Sequence, residues 1–304
     1  MNGALIIDKP AGMTSHDVVY RVRKLSGERR IGHIGTLDPF ATGVLVLLLG
    51  KATRLARFFD HATKSYEAVM RVGFATDTYD YTGQPAGTDR GGEFNPDALL
   101  PVLEEFQGTQ FQRPPAFSAK KVGGVAAYKK ARKGQEVELA PVSVTISDLQ
   151  LLRVEGSLVR LSVTVSSGTY IRSLAHDIGA RLGLGAHLSE LRRTALGSFT
   201  LADASKLESL ENPPALAAAL RPLETLLPEL PGRQLTWDEV RVVLHGRAIN
   251  APAQGEWLRL LTPDGQLAGL ARADGPGWYH PEVVLAEAVP AIDESNLKSP
   301  AEQS

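Results

Sequence analysis

Gly32-His33-Ile34-Gly35-Thr36-Leu37-Asp38-Pro39-Phe40-Ala41-Thr42-Gly43-Val44-Leu45 places a single carboxylate in a glycine-flanked turn directly before the apolar run Val44 to Leu49. Gly35 and Gly43 open backbone geometries closed to other residues, while Pro39 fixes its own φ and biases Asp38 away from helix. An ordinary Asx turn accounts for an isolated Asp-Pro pair. It does not account for glycines on both flanks with a core strand beyond. Val44 to Leu49 is apolar without alternation, as in a strand buried on both faces, so Asp38 reads as an acid displayed at the mouth of that strand.

Upstream, Leu5-Ile6-Ile7 reads as a short strand ending at Asp8-Lys9-Pro10, and Thr14 or Ser15 can cap a helix to about Lys24 with Val18, Val19 and Val22 on one side. Downstream, Ala52 to His61 reads as helix. Tyr66, Ala68, Met70, Val72 and Phe74 then alternate with Ser65, Glu67, Val69, Arg71 and Gly73, which is strand periodicity. Helices over Leu99 to Phe106 and Ala126 to Arg132, a strand pair over Val142 to Val154 and Leu158 to Ser166, and a helix from Thr169 to about Leu182 follow. Long-range strand pairing with intervening helices predicts an α+β (mixed α/β) sheet domain. Prolines crowd residues 212–232 and mark a boundary, after which a helix at Trp237 to Leu244 and strands at Trp257 to Leu261 and Leu267 to Ala271 suggest a small, mainly β unit. The expected organisation is a catalytic domain over 1–230 with an insertion at about 110–142, a second unit over 231–290, and a polar, disordered tail over 291–304.

A chain of 304 residues with 43% hydrophobic and 22% charged residues has room for two globular domains. Zero cysteines exclude disulfides, thiolate catalysis and cysteine-based zinc sites. The N-terminus lacks a signal-like pattern and no apolar segment of about 18 residues occurs, so a soluble, cytoplasmic protein is expected. The net charge of −1 splits into +6 over residues 1–199 and −7 over 200–304, and residues 113–133 hold seven basic side chains and no acid. Phosphate binding needs a basic face rather than a basic protein. Gly50-Lys51 lacks the glycine spacing and the following Ser or Thr of a phosphate-binding loop, and the seven histidines show no metal-ligand spacing. Neither metal nor cofactor is expected.

The stretch GTLDPFATGVL around Asp38 resembles the catalytic motif of the TruB family, the bacterial tRNA pseudouridine-55 synthases. The likeness extends to Lys9-Pro10-Ala11-Gly12-Met13-Thr14-Ser15, to Ser167-Gly168-Thr169-Tyr170-Ile171-Arg172, and to the basic stretch Arg113-Pro114-Pro115-Ala116-Phe117-Ser118-Ala119-Lys120-Lys121. It implies a pseudouridine-synthase fold, with a mostly antiparallel central sheet flanked by helices and a small PUA-like C-terminal RNA-binding domain. It implies that Asp38 opens the glycosidic bond, that Arg172 pairs with it, that Asp80 holds the same arginine, and that Tyr66 stacks on the uracil and accepts the C5 proton. It further implies that Leu191 packs against the base, that His33 fills the gap left by a flipped nucleotide, and that Lys9 buttresses the site. Arg192 and Arg193 are expected to reach phosphate, as are Lys120, Lys121 and Arg132 in an insertion that folds over the RNA. The implied partner is the T arm of tRNA, bound by a monomer.

The rival readings are a non-catalytic RNA-binding or RNA-folding protein, a pseudouridine synthase acting on another RNA, and a glycoside hydrolase. The first leaves Asp38, Tyr66 and Arg172 without a purpose. The last normally needs two placed carboxylates, and only Asp38 lies in a motif that displays one.

Overall fold

The computed structural model describes residues 1–118, 120–122, 124–127, 130, 133, 135, 139–252 and 255–287. The chain forms two compact units, one spanning Leu5–Leu220 with Met1, the other Arg221–Ser304 with Asn2–Ala4.

The larger unit is built on a sheet in which ten strands are described. Its principal strands are β1 (Gly3–Lys9), β2 (Ile31–Ile34), β3 (Thr42–Leu49), β4 (Lys64–Val72), β5 (Gly108–Gln112), β6 (Val142–Glu155), β7 (Leu158–Val165), β8 (Ala186–Leu196) and β9 (Ser205–Lys206), in the spatial order β9-β1-β3-β8-β4-β7-β6-β5. The β3/β2, β8/β4, β4/β7, β7/β6 and β6/β5 pairs are antiparallel. Parallel pairing joins β1 to β9 and, over two residues, β3 to β8. Val44 to Leu49 are sealed from solvent, as a central strand covered on both faces requires. Helices α1 (Ser15–Ser26), α2 (Leu99–Glu105), α3 (Ile171–Arg181) and α4 (Pro213–Ala218) pack apolar residues into the same core. A capping box between Thr14 and Asp17 starts α1, and left-handed Gly27 ends it.

Several elements depart from the sequence expectation for local reasons. The helix expected over Ala52 to His61 spans Gly50–Phe59 and takes the 3₁₀ form. Strand β4 stops at Val72, because Gly73 turns at φ +130° and Phe74 leaves the alternation. Helix α3 begins at Ile171 with Tyr170, not Thr169, at the cap. The proline-rich stretch after 212 is ordered: Asn212 caps α4, prolines occupy its first turn, and Leu216 is fully buried. Most of Ala126 to Arg132, and all of 291–304, lie outside the described residues.

The strand least visible in sequence is β8. It occupies the sheet centre, between β3 and β4, yet register shifts at Leu188/Glu190 and Arg193/Ala195 break its alternation. Bulges of this kind erase the period of two that announces a strand.

The second unit carries a five-stranded sheet and the α-helix Trp237–Leu244 around Leu235, Val240, Val243, Leu258, Leu260 and Tyr279. No described helix is long and apolar enough to cross a membrane.

The contact between β3 and β8 depends on Gly43. Its φ is +98°, and a Cβ there would lie 2.1 Å from the carbonyl oxygen of Arg193. We expect Gly43→Ala to cost more than about 2 kcal/mol, read as a lower urea midpoint at unchanged m-value. An unchanged midpoint would mean that the two strands separate locally without penalty.

Candidate active site

Asp38 lies in the connection from β2 to β3, and the segment after β1 holds that connection in place. The Lys9 ammonium is fully buried and donates to the carbonyls of Met13 (2.7 Å), Pro10 (2.8 Å) and Pro39 (3.3 Å). Gly12 N donates to Pro39 O at 2.8 Å. The Ser15 hydroxyl donates to Leu37 O and accepts from Leu37 N. Residues on both sides of Asp38 are thus tied to the Lys9–Ser15 motif, which leaves the carboxylate little freedom. Burial lowers the Lys9 pKa to about 8, against the attraction of Asp38.

Arg172, in the first turn of α3, receives that carboxylate. Its Nε lies 2.9 Å from Asp38 Oδ2, and its Nη2 donates to Asp38 Oδ1 at 3.2 Å. Nη1 lies 3.4 Å from Asp80 Oδ2 and donates to Thr78 O at 2.9 Å, while Nη2 also donates to Phe117 O at 2.9 Å. The guanidinium is almost fully buried, whereas the Asp38 side chain keeps 34% of its surface. Only the carboxylate is offered outward. Asp80 accepts from Thr78 Oγ1 and Thr82 N, which fixes it behind the arginine. The N-terminus of α3 is anchored by Gln112, whose amide oxygen accepts from Tyr170 N at 2.8 Å and whose amide nitrogen donates to Tyr170 O at 3.1 Å.

Burial pushes the Asp38 carboxyl above its ordinary value; Arg172 is the largest opposing influence, and Asp80 adds to the upward push. The carboxylate therefore depends on its arginine to stay ionised.

A cavity of about 970 Å³ opens over this pair. Asp38, Tyr66, His33, Leu191, Tyr170, Asp80 and Arg172 line it. Tyr66 and Leu191 stand on adjacent strands, and both are buried. Burial raises the Tyr66 pKa, and Arg193 works against that rise. His33 is half-buried; its Nδ1 has no hydrogen-bond partner among the described residues, and burial lowers its pKa.

The structure brings Asp38, Arg172, Asp80, Tyr66, Leu191 and His33 together and corrects the readings of others. Arg193 is fully buried, with Nε donating to Val44 O and Nη2 to Gly35 O, so it cannot reach phosphate. Arg192 points to the opposite sheet face, beside Glu67, and forks onto Asp8 at 3.0 and 2.8 Å. Lys9 has no surface with which to touch a substrate; it is a buttress only. Lys120 is half-buried, and the Lys121 and Arg132 side chains lie outside the described residues. Gln112, Thr78 and the Phe117 carbonyl were not foreseen, since two of the three contacts run through backbone and Gln112 sits on a strand remote in sequence. Lys64, buried on β4 with its pKa lowered to about 8, also lines the cavity unannounced. Among the described residues no cluster of histidine and carboxylate groups is arranged to hold a metal ion.

One displayed carboxylate held by a buried guanidinium, with a phenol on the neighbouring strand, suits a reaction opened at the carboxylate and closed by proton transfer. Asp80 is committed to Arg172 and its threonines, so a hydrolase pair of carboxylates is not formed. With this sheet around it, the site is that of a pseudouridine synthase, an intramolecular isomerase.

Residues 23–171 match the profile of the TruB family pseudouridylate synthase N-terminal domain, residues 172–228 that of the tRNA pseudouridylate synthase B C-terminal domain, and residues 230–286 that of the tRNA pseudouridine synthase II C-terminal region. Proteins named tRNA pseudouridine synthase B from Solibacter usitatus and Thermobifida fusca are 44% and 43% identical, covering 94% of this chain and 100% and 99% of theirs. A solved H/ACA ribonucleoprotein bound to a substrate RNA containing 2′-deoxyuridine superposes with a TM-score of 0.72 at 27% identity, covering 94% of this chain and 85% of that one. A Cbf5–Nop10–Gar1 complex gives 0.69 at 29% identity, covering 94% and 84%. The chain belongs to the TruB family.

Arg172→Lys keeps a charge but loses the fork that spans Asp38 and Asp80. We expect single-turnover rate to fall by roughly 100-fold or more with RNA affinity changed only a few fold. The acid limb of the rate profile should also move to higher pH, because Asp38 must be ionised and has lost its main stabiliser. If affinity falls and rate does not, Arg172 is a backbone contact.

Proposed function

We propose that this chain converts uridine 55 in the T loop of tRNA to pseudouridine, with Asp38 initiating cleavage of the glycosidic bond. The observation that carries this reading is the Asp38–Arg172 pair at the wall of a nucleotide-sized cavity that Tyr66 and Leu191 also line from adjacent strands. The tRNA substrate is supported by the names of the relatives that match nearly the whole chain.

The target nucleotide is stacked inside the folded arm and must swing out to be reached. His33, at the cavity wall, takes the space it leaves, while Tyr66 stacks on the uracil and Leu191 packs against it. Asp38 then opens the path by attack at C1′ or C6, or by taking the C2′ proton toward a glycal. The freed base turns, C5 joins C1′, and Tyr66 takes the C5 proton. Leu191 and the buried strand face keep water from the separated base. The basic insertion grips the arm, the unit over 231–290 acts as a PUA-like RNA-binding domain, and the enzyme works as a cytoplasmic monomer.

Asp38→Asn keeps the size and removes the charge. With an unmodified T-arm stem-loop we expect pseudouridine to become undetectable while binding stays within a few fold; turnover above about one per cent of wild type would overturn the role of Asp38.

The insertion is tested by salt. Each phosphate contact contributes a slope of about −0.9 on duplex or −0.7 on single strands to log K against log salt. Replacing Lys120, Lys121, Lys129, Lys130 and Arg132 with glutamine should flatten that plot by several units and weaken binding most at low salt. An unchanged slope would make the stretch a solvated surface.

A further inference from the structure

Arg193 heads the large side chains that are fully buried, and nothing in the reaction so far uses it. Its guanidinium keeps its proton in a folded protein, so it is a permanent charge in the core. Two of its nitrogens are locked on backbone carbonyls, Nε on Val44 and Nη2 on Gly35, while Nη1 has no hydrogen-bond partner among the described residues. The register places Arg193 directly opposite Tyr66 on the inner face of the β8/β4 pair, where facing side chains lie within contact range. Burial disfavours the charged arginine, and the Tyr66 phenol is the neighbour that works the other way. Of the other ionisable groups nearby, Asp38 opposes a phenolate, whereas Lys9, Lys64 and His33 each feel the positive charge of the arginine.

We propose that Arg193 is a positioning residue for the proton-transfer step: its buried guanidinium stabilises the phenolate of Tyr66 and so lets that oxygen take the C5 proton. The inference rests on the role given to Tyr66 above. Once C5 has joined C1′, C5 is tetrahedral and C6 is doubly bonded to N1. The C5–H bond breaks toward the phenolate oxygen, its electron pair forms C5=C6, and the C6=N1 pair moves to N1, which takes up a proton. The resulting phenol releases its proton to solvent before the next turnover, so no co-reactant is consumed. Without the guanidinium, ionising a buried phenol has no compensation.

The test places 3,5-difluorotyrosine at position 66, whose more acidic phenol titrates within the stable pH range, and follows it by ¹⁹F NMR in the full-length protein. We expect Arg193→Met to raise the titration midpoint by about one pH unit or more, tenfold in the ionisation constant, and Arg193→Lys to raise it less. With natural Tyr66, the single-turnover rate of Arg193→Lys on a T-arm stem-loop should fall at least tenfold at neutral pH and recover as pH rises, with affinity unchanged. Difluorotyrosine should restore much of that rate. A midpoint that does not move in Arg193→Lys, or a rate loss that neither pH nor the fluorinated residue repairs, would reduce Arg193 to a tie between β3 and β8. If Arg193→Met does not fold, Arg193→Lys decides alone. Full chemistry in Tyr66→Phe would instead remove the premise, whatever the NMR midpoints show.

Discussion

The contact between Arg172 and Asp38 joins parts of the chain that sequence keeps far apart. The arginine comes from the start of α3, the aspartate from the β2–β3 connection, Asp80 and the Thr78 carbonyl from the loop after β4, and the Phe117 carbonyl from the root of the insertion. One guanidinium has enough donors in fixed directions to serve all four, which an ammonium does not. Removing a partner from such a buried pair leaves an uncompensated charge, typically at a cost of about 3–5 kcal/mol. The same geometry that keeps Asp38 reactive therefore holds the loops around it. The insertion is tied to the site at its root, by the Phe117 carbonyl on Arg172 and by the Gln112 side chain on Tyr170.

A second constraint comes from the pairing of β8 with β4 and β3. Leu191 sits opposite Ala68 and Arg193 opposite Tyr66, while Thr42 and Gly43 of β3 contact Arg192 and Arg193 from the other side. A slip of one residue would turn Tyr66 outward and put Glu67 in the cavity. Gly43 permits the close approach, and the fork of Arg193 onto Val44 and Gly35 closes the same seam. Register and charge placement reinforce each other here, because the residue that locks the seam is the one facing the phenol.

The sequence was informative where chemistry and local geometry coincide. Asp38 stood out because glycines and a proline frame it, β3 because six consecutive apolar residues admit no exposed face, and α1 because a capping Thr14 or Ser15 precedes Val18, Val19 and Val22 on one side. Much of the rest depends on which residues tertiary structure brings together. Two bulges hide β8, although it is central. Arg192 and Arg193 look equivalent as neighbours in sequence, yet strand alternation sends one to Asp8 on the open face and the other into the core. Gln112 carries no motif of its own; its value lies in meeting Tyr170 across 58 positions. Thr78 and Phe117 act through carbonyls, and backbone acceptors leave no trace in residue identity.

The distribution of buried charge also resolves an apparent conflict between a net charge of −1 and a polyanionic substrate. Among the described residues the buried cations are Lys9, Lys64, Arg172 and Arg193, and the one buried acid is Asp80; Lys64 and Arg172 line the cavity, while Lys9 and Arg193 bond to the carbonyls of Pro39 and Gly35 in its wall. The interior is therefore positive although the chain as a whole is not. That excess has a cost, visible in the pKa values of Lys9 and Lys64, each lowered to about 8 by burial. A nucleotide entering the cavity brings phosphate negative charge toward these groups and excludes water from between them, which strengthens their attraction. Part of the strain of these buried charges is thus relieved by the substrate the site is built to receive.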